Sequence, residues 1–172
     1  AAANTYTGST DIQAGTLTTG IDNAFATSSS VNVATGATLA LNNFNQTAQD
    51  LTGAGAVTLG TGTLTAQNNN DTTFDGTLTG TGGITKTGTG TLTLSNSGNS
   101  VGAADIAAGI LHLTQTGTFS AASLLVDTGA TAQLDSNALI ATTGTSTVNG
   151  TLDVTLGGSA PMLTAADATL GS

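Results

Sequence analysis

Residues 83–95 read GITKTGTGTLTLS, two short segments of alternating apolar and polar residues on either side of a turn that contains Gly88 and Gly90. In the second segment Leu92 and Leu94 stand two positions apart, which is the spacing of a β-strand with one buried face. Segments this short do not form a stable hairpin sheet on their own. The stretch therefore predicts short strands that need similar strands elsewhere in the chain to stack upon.

Similar units recur along the chain, which is the signature of a repeat protein. DIQAGTL at 11–17 returns as DIAAGIL at 105–111, and VNVATGATLAL at 31–41 returns as LLVDTGATAQL at 124–134. Further units of a strand, a Gly-containing turn and a strand lie between these copies, with most starts about 20 residues apart. The Asn-Gly pair typical of tight hairpins occurs only at 149–150. This spacing favours a solenoid over a meander of hairpins.

The predicted fold is all-β, a parallel β-helix of roughly eight coils. Inward Leu, Val and Ile would form continuous ladders, and outward Thr would suit the pleated surface. Gly and Asn would occupy corners that need a positive φ. Residues 1–172 are expected to form one domain and to be a fragment of a longer chain. Residues 135–172 are expected either to continue the helix or to cap it.

The composition excludes several classes of protein. Thr, Gly, Asn and Ser make up 88 of the 172 residues, which argues against helices. A net charge of −9 with one Lys and no Arg offers no surface for nucleic-acid phosphates. There is no Cys and no apolar run long enough for a membrane helix, and no segment of these 172 residues has the basic and apolar regions of a leader peptide. Leu, Ile, Val and Phe make up 36 of the 172 residues, barely above the composition associated with disorder, so composition alone leaves folding undecided. The regular alternation of these residues indicates a folded chain.

The residues of 83–95 resemble the passenger-associated transport repeat of Gram-negative autotransporters, whose usual form is Gly-Leu-Thr-Lys-x-Gly-x-Gly-Thr-Leu-x-Leu-Ser. NTYTGSTDIQAGTL at 4–17 is similar to the usual continuation of that repeat. After Ser95 the chain departs from it, and Val101 stands where the repeat has Tyr. The resemblance is close over 4–95, fair over 96–134 and weak beyond. The matching residues of the motif are Gly83, Thr85, Lys86, Gly88, Gly90, Thr91, Leu92, Leu94 and Ser95.

The resemblance implies a right-handed β-helix, exported through the outer membrane of a Gram-negative bacterium and either displayed on the cell surface or secreted. It implies a non-catalytic stalk or scaffold of an adhesin, with roles in virulence and biofilm formation, and no cofactor. The implied partners are a host or cell-surface receptor, a second copy of the chain, and the protein's own C-terminal membrane barrel outside this sequence.

Residues with reactive side chains are few, and each is expected to be structural. Lys86, the only cation besides a lone histidine, is expected to point outward, and His112 to lie on the surface. Asp71 and Asp75 would be the carboxylates of a polysaccharide-cleaving enzyme, a remote alternative that lacks the usual Arg and aromatic residues. No calcium-binding or zinc-binding motif is present.

Two amide-rich clusters, at 42–46 and 67–71, are candidates for a self-association surface. Both follow an apolar strand, and they lie 26 residues apart. If a coil is about that long at this point, the clusters are expected to stack on one edge of the helix. The structural interpretation is that the amides cap corners and satisfy backbone groups. The functional interpretation is a polar stripe, with Thr and Asp, that meets the same stripe on a second molecule. The stripe would comprise Asn42, Asn43, Asn45, Asn68, Asn69, Asn70 and Asp71.

Overall fold

A computed structural model describes residues 2–25, 30–114, 118–136, 138–155, 163–164 and 167–170. In these ranges the chain forms 21 short strands and no helix. The described residues accordingly contain no helix that is long and apolar enough to cross a membrane. The strands are β1 (Thr10–Ile12), β2 (Thr16–Thr18), β3 (Val31–Val33), β4 (Thr38–Ala40), β5 (Gln46–Ala48), β6 (Leu51–Gly53), β7 (Ala56–Thr58), β8 (Leu64–Gln67), β9 (Thr72–Phe74), β10 (Thr77–Thr79), β11 (Gly83–Thr87), β12 (Thr91–Leu94), β13 (Asn99–Ile106), β14 (Ile110–Leu113), β15 (Thr118–Val126), β16 (Thr131–Leu134), β17 (Leu139–Thr142), β18 (Thr145–Val148), β19 (Thr151–Val154), β20 (Leu163–Thr164) and β21 (Asp167–Leu170).

The strands stack in three parallel ladders, which we call A, B and C. Ladder A contains β1, β3, β6, β9, β12, β14, β16 and β19. Ladder B runs from β2 through β4, β7 and β10 to the first halves of β13 and β15, then to β17 and β20. Ladder C runs from β5 through β8 and β11 to the second halves of β13 and β15, then to β18 and β21. A full coil passes through A, B and C, and we name its corners AB, BC and CA.

The pairing register gives the length of a coil. Thr10 lies beside Val31, and Thr91 lies beside Ile110, so a coil along ladder A takes about 20 residues. The eight strands of ladder A correspond to about seven turns between the first and the last. The predicted all-β parallel helix and its approximate number of coils are therefore confirmed. The right-handed winding stays a prediction from the resemblance.

The interior is filled by stacked apolar side chains, one row for each ladder. Leu39, Val57 and Leu78 stand in register along ladder B, and all three are fully buried. In ladder A the ring of Phe74 lies in register with Gly53, where a side chain would collide with the backbone of Val33. Each buried Leu, Val or Phe stabilises the fold by roughly 1.5–3 kcal/mol, so the rows hold successive coils together.

The sequence copies occupy different corners of the coil. ATGA at 34–37 forms corner AB, whereas the matching DTGA at 127–130 forms corner CA. In both turns the last amide donates to the first carbonyl, Ala37 to Ala34 at 2.9 Å and Ala130 to Asp127 at 3.0 Å. The glycines have nearly the same φ, 81° at Gly36 and 86° at Gly129. One turn type therefore serves at two corners.

The prediction for residues 135–172 falls partly on residues 137, 156–162, 165–166 and 171–172, which lie outside the described ranges. Of the others, β17 and β18 pair in parallel with β15, and β20 and β21 pair in parallel with β17 and β18. The choice between continuation and cap stays a prediction.

Candidate functional site

The repeat motif at 83–94 forms one strand of ladder C, corner CA and one strand of ladder A. Leu92 and Leu94 of β12 are fully buried, as the alternation predicts. Thr85 and Thr91 face outward and are half-buried. Gly88 has a φ of 76°, and Gly90 lies so close to the carbonyl of Asn70 that a Cβ would not fit. The motif residues Gly83, Thr85, Lys86, Gly88, Gly90, Thr91, Leu92 and Leu94 are thus parts of one corner and its two strands.

The prediction that Lys86 points outward is wrong. Its side chain is 1% exposed and lies inside the helix at corner CA. Lys86 stands two positions after the buried Ile84 in β11, so the alternation of the strand places both on the inner face. The sequence contained this signal, but the charge of the side chain suggested the surface instead.

The ammonium of Lys86 is held by backbone carbonyls from three successive coils. Its Nζ lies 2.6 Å from the carbonyl oxygen of Thr87 and 3.1 Å from that of Gly88 in its own coil. It lies 3.5 Å from the carbonyl oxygen of Asn68 in the coil before and 3.4 Å from that of Ala108 in the coil after. Buried carbonyl oxygens at the corners need partners other than the strand ladders, and the ammonium binds several of them at once. We call this arrangement the lysine clip.

Burial disfavours the charged form of Lys86 in the lysine clip, and nearby carboxylates partly offset this effect. Burial lowers the pKa of Lys86 to about 8, and the nearby charges of Asp50 and Asp71 oppose that shift. Lys86 forms no ion pair with any described carboxylate. The clip is a cation bound mainly by backbone dipoles.

Gly109 completes the clip, and sequence reasoning missed it. A Cβ at this position would lie 2.9 Å from Lys86 Nζ and 2.6 Å from the carbonyl oxygen of Gly90. Its φ of 68° also favours glycine. The recurrence of Ala-Gly at 14–15 and 108–109, within the two matching segments 11–17 and 105–111, was the available signal.

The first amide cluster caps corner BC. Asn42 and Asn43 adopt φ values of 50° and 71°, the left-handed region that Asn tolerates. The side-chain oxygen of Asn43 accepts the amide of Thr61 at 2.9 Å, and that of Asn45 accepts the amide of Thr63 at 2.8 Å. These bonds join one coil to the next, which is what the structural interpretation expects of corner amides.

The second amide cluster lies at corner CA, so the prediction that both clusters stack on one edge is wrong. Asn68 is fully buried, whereas Asn69, Asn70 and Asp71 are exposed. Asn70 Nδ2 donates to Asp50 Oδ2 at 2.6 Å, and Asp71 Oδ1 accepts the amide of Thr91 at 2.8 Å. The interval between the two clusters exceeds one coil, so it carries the chain past the original corner to the next one.

The remaining titratable side chains form no cluster typical of a catalytic or metal site in the described ranges. Asp71 and Asp75 are at opposite ends of β9, at corners CA and AB. His112 lies 3.0 Å from Asp135 in the following coil, a partly exposed pair. Burial, followed by the charge of Asp127, raises the pKa of Asp105. Among the described residues no group of three His, Cys, Asp or Glu side chains could hold a metal ion.

Comparison with known proteins identifies the repeat. The family described as Passenger-associated-transport-repeat matches residues 1–18 and 84–113. The chain is 36% identical over 118 residues to the protein named Adhesin BmaC autotransporter of Brucella suis biovar 1 (strain 1330). That match covers 64% of this chain and 4% of the relative, so the chain spans a small part of that protein's length. No solved structure matches the chain significantly.

These matches confirm the predicted resemblance to autotransporter passengers. They also confirm the localisation that the resemblance implies, on the surface of a Gram-negative bacterium or secreted from it through the outer membrane.

Proposed function

We propose that this chain, which carries the transport repeats of autotransporter passengers, is a non-catalytic scaffold segment of an adhesin passenger. Its role is to extend the passenger away from the cell and to support export by stacking coil upon coil. The observation that carries this proposal is the continuous stack of short parallel strands with an apolar interior. In such a repeat array each coil is stabilised mainly by its neighbours, so folding can propagate along the chain as it emerges.

The absence of a site with catalytic geometry among the described residues supports a non-catalytic role. Two surface hollows of about 250 Å³ are lined only by Gly, Ala, Thr, Asn, Ser and Val, none of which titrates near neutral pH. Acid–base chemistry needs titratable groups that face a shared space. The receptor to which such an adhesin binds would then be contacted by other parts of the passenger.

Removal of one whole coil tests the scaffold role. Val31 lies beside Leu51 in ladder A, so deletion of residues 31–50 removes one coil and keeps the register of the ladders. We expect a passenger with this deletion to be displayed at a level close to that of the parent. Display is measured by the accessibility of the passenger to protease on intact cells.

The matched control is the deletion of residues 41–50, which removes half a coil and joins β4 of ladder B to β6 of ladder A. Because the corner residues are lost as well, no turn is left between β4 and β6, and we expect this shorter deletion to disrupt stacking and to reduce display severalfold. Loss of display with the whole-coil deletion, or normal display with both, would contradict the scaffold proposal.

Self-association is a second candidate function, now restricted to corner CA. The observation in its favour is the exposure of Asn69, Asn70 and Asp71 at one corner, where amides and a carboxylate together supply donors and acceptors. Two acidic molecules could meet there through hydrogen bonds rather than apolar contacts. The corner BC residues Asn42, Asn43 and Asn45 would belong to a separate surface.

Sedimentation velocity over a wide concentration range tests self-association. If corner CA is the contact, the chain forms dimers as its concentration rises, and Asn69→Arg abolishes them. Thr58→Arg, at an exposed outward position of ladder B, serves as the control and leaves the dimers intact. A monomer at every concentration, or equal loss with both variants, would refute a contact at corner CA.

A further inference from the structure

The two copies of the short repeat contact the following coil in the same way. In the first copy the carbonyl of Ile12 accepts the amide of Ala34 at 2.9 Å, and in the second the carbonyl of Ile106 accepts the amide of Asp127 at 2.9 Å. Gly15 and Gly109 each accept an amide from the next coil, at 2.8 and 2.9 Å. Their φ values are 73° and 68°. The corner of residues 13–15 therefore has the backbone geometry of the corner of residues 107–109.

The two copies differ on their other side. In the second copy the amides of Ala107 and Ala108 donate to the carbonyl of Lys86 at 2.9 and 3.2 Å. The ammonium of Lys86 also lies against Ala108 and Gly109. In the first copy a Cβ at Gly15 would meet no described atom within 4 Å. Strands β1 and β2 are the first strands of ladders A and B, and each has one described neighbour.

Exposure of apolar side chains marks the same open side. Leu17 is 38% exposed, whereas its counterpart Leu111 is 2% exposed because Leu92 lies beside it. Tyr6 is 40% exposed at the same end. A hollow of about 520 Å³ is lined by β1, the corner and the start of β2. This surface has the shape and polarity of a coil-to-coil interface with one side uncovered.

We propose that this open corner is an acceptor for a lysine-bearing coil of the type ITKTGTGTLTL, found in this chain at 84–94. The lysine ammonium of such a coil would bind the carbonyl of Ala14, and its backbone carbonyl would accept the amides of Gln13 and Ala14. Its first Leu would cover Leu17. The side chain at residue 15 must be absent, because the ammonium needs that space. The inference rests on the repeated geometry and is independent of the proposed function.

The family match has the same asymmetry. The match around the second copy covers residues 84–113, whereas the match around the first copy covers the shorter range 1–18. Aligning DIQAGTL with DIAAGIL places residue 1 opposite residue 95, so residues 84–94 have no counterpart in the first match. The part of the repeat without a counterpart is the part that supplies the clip lysine.

The test is an extended chain in which a second copy of residues 75–94 is joined ahead of Ala1, with a matched extension that carries Met in place of its lysine. Lysine ammonium groups are observed by nitrogen-15 NMR, and backbone amides by hydrogen exchange. The Met extension identifies the signal of the added lysine. The unchanged signal of Lys86 shows that the rest of the chain is folded.

We expect the added lysine to give a second slowly exchanging ammonium signal, with a pKa lowered from its ordinary value as for Lys86. The amides of Gln13 and Ala14 should exchange at least about tenfold more slowly than in the unextended chain. Gly15→Ala should destroy the second ammonium signal and leave that of Lys86.

Three outcomes would overturn the proposal. In the first, the added lysine titrates and exchanges like a solvent-exposed lysine, even if Gln13 and Ala14 become protected. In the second, Gly15→Ala leaves its signal unchanged. In the third, Gln13 and Ala14 become protected in the unextended chain as its concentration rises, which would assign the edge to a second copy stacked end to end.

Discussion

Leu92→Asp is expected to unfold the isolated chain and to arrest export of a passenger that contains it. Leu92 is fully buried and lies in register between Thr72 and Leu111 in ladder A. A carboxylate there would lose its water against the buried side chains of Leu94, Leu111 and Leu113. An unpaired buried charge costs more than about 4 kcal/mol, which is a large share of the stability of a typical domain. Urea unfolding followed by circular dichroism gives the loss of stability, and protease accessibility on intact cells gives the loss of display.

The control for Leu92→Asp is Thr93→Asp. Thr93 is the next residue of β12, faces outward and stands between Thr73 and His112 on the surface of ladder A. The same charge at this position remains hydrated, so we expect a change within about 0.5 kcal/mol and normal display. Equal unfolding midpoints for the two variants would show that the interior of ladder A does not hold the coils together.

The stability of the chain is expected to rise as the pH increases from about 8 to 10.5. In the unfolded chain Lys86 has its ordinary pKa of 10.5, whereas burial lowers it to about 8 in the fold. In this interval the unfolded state binds more protons than the folded state, so the free energy of unfolding increases with pH. A difference of this size corresponds to about 3 kcal/mol, which is fully present above pH 10.5 and is lost as the pH falls through 8.

Urea unfolding at a series of pH values measures this dependence, with Lys86→Met as the control. The Met side chain keeps much of the length and the apolar stem but does not titrate. We expect the unfolding midpoint of Lys86→Met to change little between pH 8 and 10.5, the interval in which that of the unmodified chain rises. The same pH dependence in both proteins would assign it to other groups and refute the buried charge of the lysine clip.

The fold could be predicted because its causes are local. Alternation as in Leu92-Thr93-Leu94 predicts a strand with one buried face, and glycines such as Gly36 mark corners that need a positive φ. Recurrence of these units at a nearly constant interval leaves few architectures other than a solenoid. The coil length read from the register of ladder A agrees with that interval.

The positions of Lys86 and the amide clusters could not be predicted so readily, because they depend on how coils meet. Lys86 is buried since carbonyls from the coils on both sides replace its water, and those carbonyls are distant in sequence. The clusters at Asn42 and Asn69 lie at different corners because the interval between them is longer than one coil, and the coil length is known only from the register of the strands. The sequence shows that Ile84 and Lys86 are two positions apart, which places their side chains on the same face of β11. It does not show that carbonyl groups of neighbouring coils surround the ammonium and allow it to be buried.

The interchangeable corners have a consequence for how such chains change length in evolution. Going along the chain from the segment at 11–17 to its copy at 105–111 takes four full coils and two further strands. Genetic exchange between the two segments would therefore delete or duplicate a length that is not a whole number of coils. Because the same turn fits more than one corner, the joined chain would still stack. Everything beyond the joint would be turned by one ladder about the long axis, so a single exchange would both alter the reach of the rod and reorient the surfaces it presents.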